Sequence, residues 1–289
     1  MRASGDGQVA LWWLGQSGFA LRARDATALV DPFLADHPDR LVAPPFEPEA
    51  VGGVNVIAVT HDHLDHLDGE SLPVLADASP EAQFVVPEPV VDRLTEVGIP
   101  VGRIVGAQPG DPIRLGSVTV HPVPACHGDA PEDAYGFGRE RSGGLYRYLG
   151  YVLEFDGVRV YHAGDTIPYE GMEELLAGMG VHVALLPING RDAAREAQGI
   201  VGNLDEQEAA RLAGAIAADL LIPMHYDMFA ANPGSPERLV ELVRNAYPEL
   251  TVLVPTRARP FVYTAPEAQP VGDAPRRVPG LSAARSSGT

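Results

Sequence analysis

The stretch THDHLDHLDG, Thr60 to Gly69, gathers His61, His63 and His66 with the carboxylates Asp62 and Asp65 inside positions 61–67. Imidazoles and carboxylates in such density form a ligand set for Zn2+, Mn2+ or iron. His61 and His63 are two apart, so in extended backbone they project to the same side. Asp65 and His66, at the start of an expected helix, aim at a neighbouring point. One stretch could thus serve two metal ions a few ångströms apart. The plainer alternative, a polar surface loop, fits poorly straight after the apolar run VNVIAVT.

Further ligands must come from elsewhere in the chain. His127 follows VTVHPVPAC, Asp165 follows VRVYHAG and His225 follows LLIPM, so each leaves an apolar strand. A lone histidine at a strand end is more often structural than a ligand. Beside the cluster, however, these three residues supply what two adjacent metals need. His121 fits less well, because six extended residues put it roughly 20 Å from His127. His37 falls in a loop, and His182 starts a strand instead of leaving one.

The elements that would position these residues can be read from periodicity. VALWWLG, FALRA and TALVDP read as short strands separated by turns. VNVIAVT is a continuous β-branched run suited to a strand buried on both faces, and DGESLPVLADA starts a helix. QFVVPE is a strand. PVVDRLTEVG is a helix opened by Pro89 and closed by Gly98. PIRLGSVTVHPVPACHG returns to strands, and residues 128–144 form a Gly-rich, charged loop. In YRYLGYVLEFDGVRVYHAGD, Asp156–Gly157 marks a tight hairpin. MEELLAGMG is helical, VHVALLPI a buried strand, and residues 189–203 irregular. LDEQEAARLAGAIAA has the 3.6-residue helical period. LLIPMHYD is a strand, SPERLVELVRNA a helix with a Ser N-cap and LTVLVPT a last strand. This order describes a layered α/β protein with sheet inside and helices outside. Residues 1–264 form a single domain, and residues 265–289, rich in Pro, Ala, Arg and Ser, a flexible C-terminal tail.

Composition narrows the function classes. The 289 residues carry a formal net charge of −18 and a hydrophobic fraction of 45%, enough for a sizeable core. Such acidity disfavours nucleic acid as a partner. No apolar run reaches the roughly 18 residues of a spanning helix, and the N-terminus lacks an apolar signal-peptide core. The single cysteine, Cys126, excludes an intrachain disulfide. These features fit a cytoplasmic protein acting on a small molecule, away from membranes. The subunit count stays open, a homo-oligomer included.

HDHLDH resembles the HxHxDH signature of the metallo-β-lactamase superfamily, whose members are αββα sandwiches, and HGD, GDT and PMHYD resemble its later metal motifs. The resemblance covers most of the chain but not the C-terminal tail. It implies that His61, His63 and His127 hold one divalent ion and Asp65, His66 and His225 the other, with Asp165 bridging. Within the superfamily, WWLGQSGFALR, VTHDHLDHLD, VYHAGDT, LPINGRD and IPMHYDMF are most similar to the L-ascorbate-6-phosphate lactonase group. That group does not require histidine at the position of His127, so a neighbouring branch is included in the resemblance.

Two ions, Zn2+ or Mn2+, sharing a carboxylate can share a water that loses its proton near neutral pH. The expected chemistry is hydrolysis of a small, anionic lactone or ester by the resulting metal-bound hydroxide, with Asp65 and Asp165 as the catalytic carboxylates. No serine or cysteine nucleophile is then needed, and Cys126, next to His127, reads as packing. Arg191, leaving a strand end, could bind a substrate phosphate or carboxylate through its fork, or could instead pair with Asp192 or Glu196. Gln16, Asn189, Asn203 and Tyr226 are further substrate-binding candidates. His162, three before Asp165, could orient a ligand carboxylate. Arg139, Arg141 and Arg147 flank a loop that could act as a lid or lie solvated. Competing readings are a phosphodiesterase on the same two-metal scaffold, an iron-dependent oxidoreductase and a non-catalytic metal-binding module.

Overall fold

A computed structural model describes residues 7–266. Six strands come first: β1 (Gln8–Gly15), β2 (Gly18–Arg22), β3 (Thr27–Val30), β4 (Val56–Ala58), β5 (Gln83–Pro87) and β6 (Ile104–Ala107). The next seven are β7 (Ile113–Leu115), β8 (Val118–Pro124), β9 (Leu149–Phe155), β10 (Val158–His162), β11 (Val183–Pro187), β12 (Leu220–Met224) and β13 (Thr251–Val252). The last, β14 (Phe261–Thr264), returns to pair antiparallel with β1. Among the described residues these make two seven-stranded sheets, ordered β14-β1-β2-β3-β4-β5-β6 and β13-β12-β11-β10-β9-β8-β7.

Side-chain alternation explains the layers. Ala28, Val30, Val56, Ala58 and Val85 join the apolar cluster shared by both sheets. Their neighbours Leu29, Ile57, Phe84 and Val86 turn outward onto Leu72 and Leu75 of α1 (Ser71–Ala78) and Leu94 of α2 (Val91–Glu96). A period of two therefore buries both faces, and this is why VNVIAVT shows no polar alternation. On the second sheet, Leu176 of α3 (Met172–Met179), Leu212 of α5 (Glu206–Ala215) and Leu239 of α6 (Pro236–Ala246) complete the outer layer. A short α4 (Ala193–Glu196) lies between α3 and α5 in sequence. The result is the αββα sandwich that the sequence predicts. Among the described residues no helix is long and apolar enough to cross a membrane.

Strand direction gathers the site. β10, β11 and β12 run parallel, and β8 shares their direction because β9 is antiparallel to both β8 and β10. The exits of β8, β10 and β12, which lead to His127, Asp165 and His225, thus lie at one end of the second sheet. The β9–β10 hairpin turns at Asp156 and Gly157, both at positive φ (47° and 83°), as the Asp-Gly pair predicts.

Several local expectations are corrected. No helix starts at Asp65 and His66. The amides of His66 and Leu67 both donate to the His63 carbonyl, making a turn. The helix begins at Ser71, where Asp68 Oδ1 accepts from the amides of Glu70 and Ser71. Within 189–203, α4 forms because Asp192 accepts from the amides of Ala194 and Arg195. The two edges of the first sheet, β6 and β14, are not expected from sequence, because IVGA and FVYT are apolar runs of only four residues, and LTVLVPT shortens to the edge strand β13. The expected tail falls, from residue 267 onward, outside the described residues.

Candidate metal centre

Three overlapping groups of ligand atoms form at the strand exits, each with its atoms within 4.8 Å of one another: His61, His63 and His127; His61, His66 and Asp165; Asp65, His66 and His225. Asp165 touches residues of both outer groups. It lies 3.4 Å from His66 Nε2, 3.7 Å from His127 Nε2 and 3.2 Å from His225 Nε2. All seven predicted metal-site residues are thus brought together.

The hydrogen bonds behind these residues fix which ring nitrogens face the site. Asp31, wholly buried, accepts from the Thr60 amide (2.8 Å), the Thr60 hydroxyl (2.7 Å) and His66 Nδ1 (2.7 Å). With its proton given to Asp31, Thr60 Oγ1 can only accept from His61 Nδ1, 3.0 Å away. Both rings therefore turn Nε2 to the centre. His61 Nε2, His66 Nε2 and Asp165 Oδ1 are buried there without a hydrogen-bond partner. Leaving each unsatisfied costs about 1–3 kcal/mol. Divalent cations at this point would satisfy all three at once, so the donor set fits such ions.

Charge points the same way. Burial, followed by the neighbouring His66 and His63, holds His61 well below the usual histidine range. Burial also pushes His127 down to about 3, against the pull of Asp165. For His66, burial is outweighed by Asp165, Asp65 and Asp31, which hold its pKa well up. His225 is raised to about 9 when Asp165 and Asp65 overcome burial. The carboxyls of Asp65 and Asp165 are held well below the carboxylate range, their burial outweighed by His66 and His225. Buried carboxylates of this kind need positive charge beside them.

The backbone supports the centre at a cost. Gln16, Asp31 and His225 all adopt left-handed φ (49°, 45° and 59°), a strain of about 1–3 kcal/mol each that tends to collect at functional sites. The Gln16 carbonyl accepts from Trp13 Nε1 and from the His225 amide, both at 3.0 Å, which ties the β1–β2 turn to the exit of β12.

A cavity of about 200 Å3 opens on the cluster, lined by His63, Asp65, His127, Asp129, Asp165 and His225 with Gly199, Ile200, Val201 and Asn232. A larger cavity of about 320 Å3 beside α3 holds none of the cluster.

The expected substrate residues lie elsewhere. Gln16 Nε2 donates to Asp65 Oδ2 (2.7 Å) and lies against the His225 ring, so it holds ligands in place. Arg191 spends its fork on Glu208, at 2.6 and 2.7 Å, and donates to the Asn203 carbonyl. It is therefore not a free anion anchor, and neither Asp192 nor Glu196 is its partner: Asp192 pairs with Arg195, and Glu196 accepts from Tyr135. Asn203 donates to Asn189, both buried, and Tyr226 stacks on Trp13 at 5.3 Å. His162 does not orient a carboxylate. It donates to the Ser17 carbonyl and accepts from the Gly164 amide, and so steadies the turn before Asp165. The sequence reading missed Asp31, Thr60 and the cavity wall at Asp129, Gly199, Ile200, Val201 and Asn232. Asp31 carried a signal, since it follows the apolar run TALV as Asp165 follows VRVYHAG.

Residues 27–226 match a family described as the β-lactamase superfamily domain. A UPF0173 metal-dependent hydrolase of Rubrobacter xylanophilus is 31% identical over 255 residues, 86% of this chain and 94% of that protein. Igni18, a metallo hydrolase of Ignicoccus hospitalis, superposes with a TM-score of 0.68 at 22% identity, over 90% of this chain and all of that one. CmlA, a diiron β-hydroxylase of Streptomyces venezuelae, gives 0.67 at 15% identity over 92% of this chain and 55% of that one. At such identities the two structures speak for the fold alone.

Proposed function

The chain belongs to the metallo-β-lactamase superfamily, in its UPF0173 metal-dependent hydrolase family, and from that premise we propose that it hydrolyses a small lactone or ester with two divalent ions, Zn2+ or Mn2+. The observation that carries this reading is the position of Asp165, in contact with residues of both ligand groups. His61, His63 and His127 would hold one ion, Asp65, His66 and His225 the other, and Asp165 would serve both. Such ions would supply an acidified water and polarisation of the substrate carbonyl. The protein's own part is to hold the ligands and shape the pocket. Asp31 and Thr60 set the tautomers of His66 and His61, and Gln16 steadies Asp65 and His225. Ile200 and Val201 present apolar surface to the substrate, and the Asn232 side chain adds a polar group to the same wall.

The cavity admits a small molecule. Among the described residues, those lining it include Asp129 but no arginine or lysine. With Arg191 engaged by Glu208, no arginine or lysine of the cavity wall is there to grip a phosphate through a fork or an ammonium. On this reading the preferred substrate is a lactone or ester without a phosphate group, a narrower choice than the anionic substrate expected from sequence.

The test is to strip the protein of metal, reconstitute it with Zn2+ or Mn2+, and assay lactones, carboxyl esters, phosphodiesters and β-lactams, with neutral and phosphorylated members of each lactone pair. Two bound equivalents, activity that returns only with metal, and fastest turnover of a neutral lactone or ester are expected. Full activity in metal-free protein would sink the metal reading. Preference for phosphodiesters would move the reaction to phosphoryl transfer, and oxygen uptake by iron-loaded protein would move it to oxidation.

A further inference from the structure

We infer that Asp129 is a positioning residue for His63, clamped by Arg147 and Tyr148, and that it sets how tightly the three-histidine group holds its ion; this rests on the two-ion reading above. Asp129 lines the cavity but belongs to none of the ligand groups. Its Oδ1 accepts from the Tyr148 hydroxyl (2.8 Å) and stands 3.7 Å from His63 Nε2. Its Oδ2 lies 3.4 Å from Arg147 Nε, and another nitrogen of that guanidinium donates to Asp62 at 2.7 Å. Asp62 sits between His61 and His63, so Arg147 and Asp129 close a ring of charge contacts on the turn that carries His63. The Tyr148 ring also meets the rings of His61 (6.0 Å) and His127 (5.6 Å) edge-on.

His63 needs such support more than its neighbours do. His61 and His127 are buried, whereas the His63 side chain is 32% exposed. Its Nδ1 lies 3.3 Å from His127 Nε2, inside the ligand group, and its Nε2 faces Asp129. A carboxylate on Nε2 keeps the proton there and leaves Nδ1 free to bind metal. Such supporting bonds often tighten only when the site is loaded, consistent with the present 3.7 Å.

Zn2+ affinities of metal-free wild type, Asp129→Ala and Asp129→Asn, measured by competition with a chromogenic chelator, test the inference. Asp129→Ala should lose about 10–100-fold at one of two equivalents, the usual cost of removing such a partner, with the other unchanged. Asp129→Asn keeps an oxygen for His63 and Tyr148 and should lose markedly less. Long-range 1H–15N spectra of metal-free wild type should show His63 protonated on Nε2. Wild-type affinities in Asp129→Ala, equal losses in both variants, or a proton on His63 Nδ1 would each overturn the inference. A wild type that binds fewer than two equivalents instead refutes the two-ion reading from which it starts.

Discussion

Asp31→Asn isolates the support behind His66. Asp31 Oδ2 takes two donors, the Thr60 hydroxyl and His66 Nδ1, and Oδ1 takes the Thr60 amide. Asparagine keeps the shape and, like aspartate, tolerates the left-handed φ of 45° at this position, so the backbone need not move. It has one oxygen where aspartate has two. The better orientation leaves that oxygen at the two-donor corner and turns its NH2 against the Thr60 amide, another donor. One buried charge-assisted bond is lost, about 1.5–3 kcal/mol, or roughly 3–12 °C in melting temperature at 2–4 °C per kcal/mol. The remaining oxygen is neutral and holds His66 less firmly, so affinity of the Asp65, His66 and His225 group for Zn2+ should fall about 10–100-fold. The assay is urea unfolding in excess chelator, followed by chelator competition on the metal-free protein. Stability within about 0.5 kcal/mol of wild type, the range for an inconsequential substitution, together with unchanged Zn2+ affinities, would refute the role assigned to Asp31.

Other variants separate packing from chemistry. Arg191→Ala should cost about 1–2 kcal/mol, between the values for exposed pairs and for buried charged hydrogen bonds, while changing KM equally for neutral and phosphorylated lactones; a rise confined to the phosphorylated substrate would restore its role as an anchor. Gly164 has φ of +60°, and a Cβ there would meet the Leu149 carbonyl oxygen at 2.8 Å and Thr60 Cβ at 2.9 Å. Gly164→Ala should therefore lose at least about 2 kcal/mol and weaken metal binding through Thr60, and a wild-type melting curve would contradict this. Burial pushes the Cys126 thiol up to about 11, against a weaker pull from Arg191. Its contribution to stability is full below the ordinary thiol range and falls as pH rises through and above it, because only the unfolded thiol ionises there. Urea unfolding between pH 8 and 10 should show this decline in wild type and less of it in Cys126→Ala, and iodoacetamide at pH 8 should label folded protein far more slowly than unfolded. Equal labelling of both forms would show the thiol to be exposed.

Interior strands were the legible part of the fold because burial on both faces leaves a continuous apolar run. VNVIAVT, VHVALLPI and LLIPMHYD became β4, β11 and β12. β6 and β14 could not be read in that way. They are the two edges of the first sheet, and β14 buries only Tyr263 of its four residues. An edge strand is held largely by its partner's backbone, and four-residue runs such as IVGA and FVYT are too short for their apolar side chains to mark a strand. The early helix expected at Asp65 failed for a different reason. Hydrophobic period locates a helix but not its first turn, and here the cap is Asp68, whose Oδ2 also takes the amides of Leu34 and Ala35 across the fold.

The centre divides along the same line. A ligand at a strand exit announces itself by residue type and local context, which is how His127, Asp165 and His225 could be picked although they lie far apart in sequence. Applied evenly, that rule also picks Asp31. The groups that hold the ligands act across separations no local pattern records: Asp31 is 35 residues from His66, and Gln16 is 209 from His225. Arg191 shows why residue type at an exit is not enough. A guanidinium is available to substrate only if no carboxylate reaches it first, and Glu208 does so from the first turn of α5, where it also completes a capping box with Asp205. That box is written locally as Asp205-x-x-Glu208. It fixes a carboxylate at the start of the helix that follows the Arg191 loop, so the competing partner was present in the sequence as a capping signal. A cation at a strand exit should therefore be assigned to substrate only after the acidic residues capping the next helix have been considered as its partner.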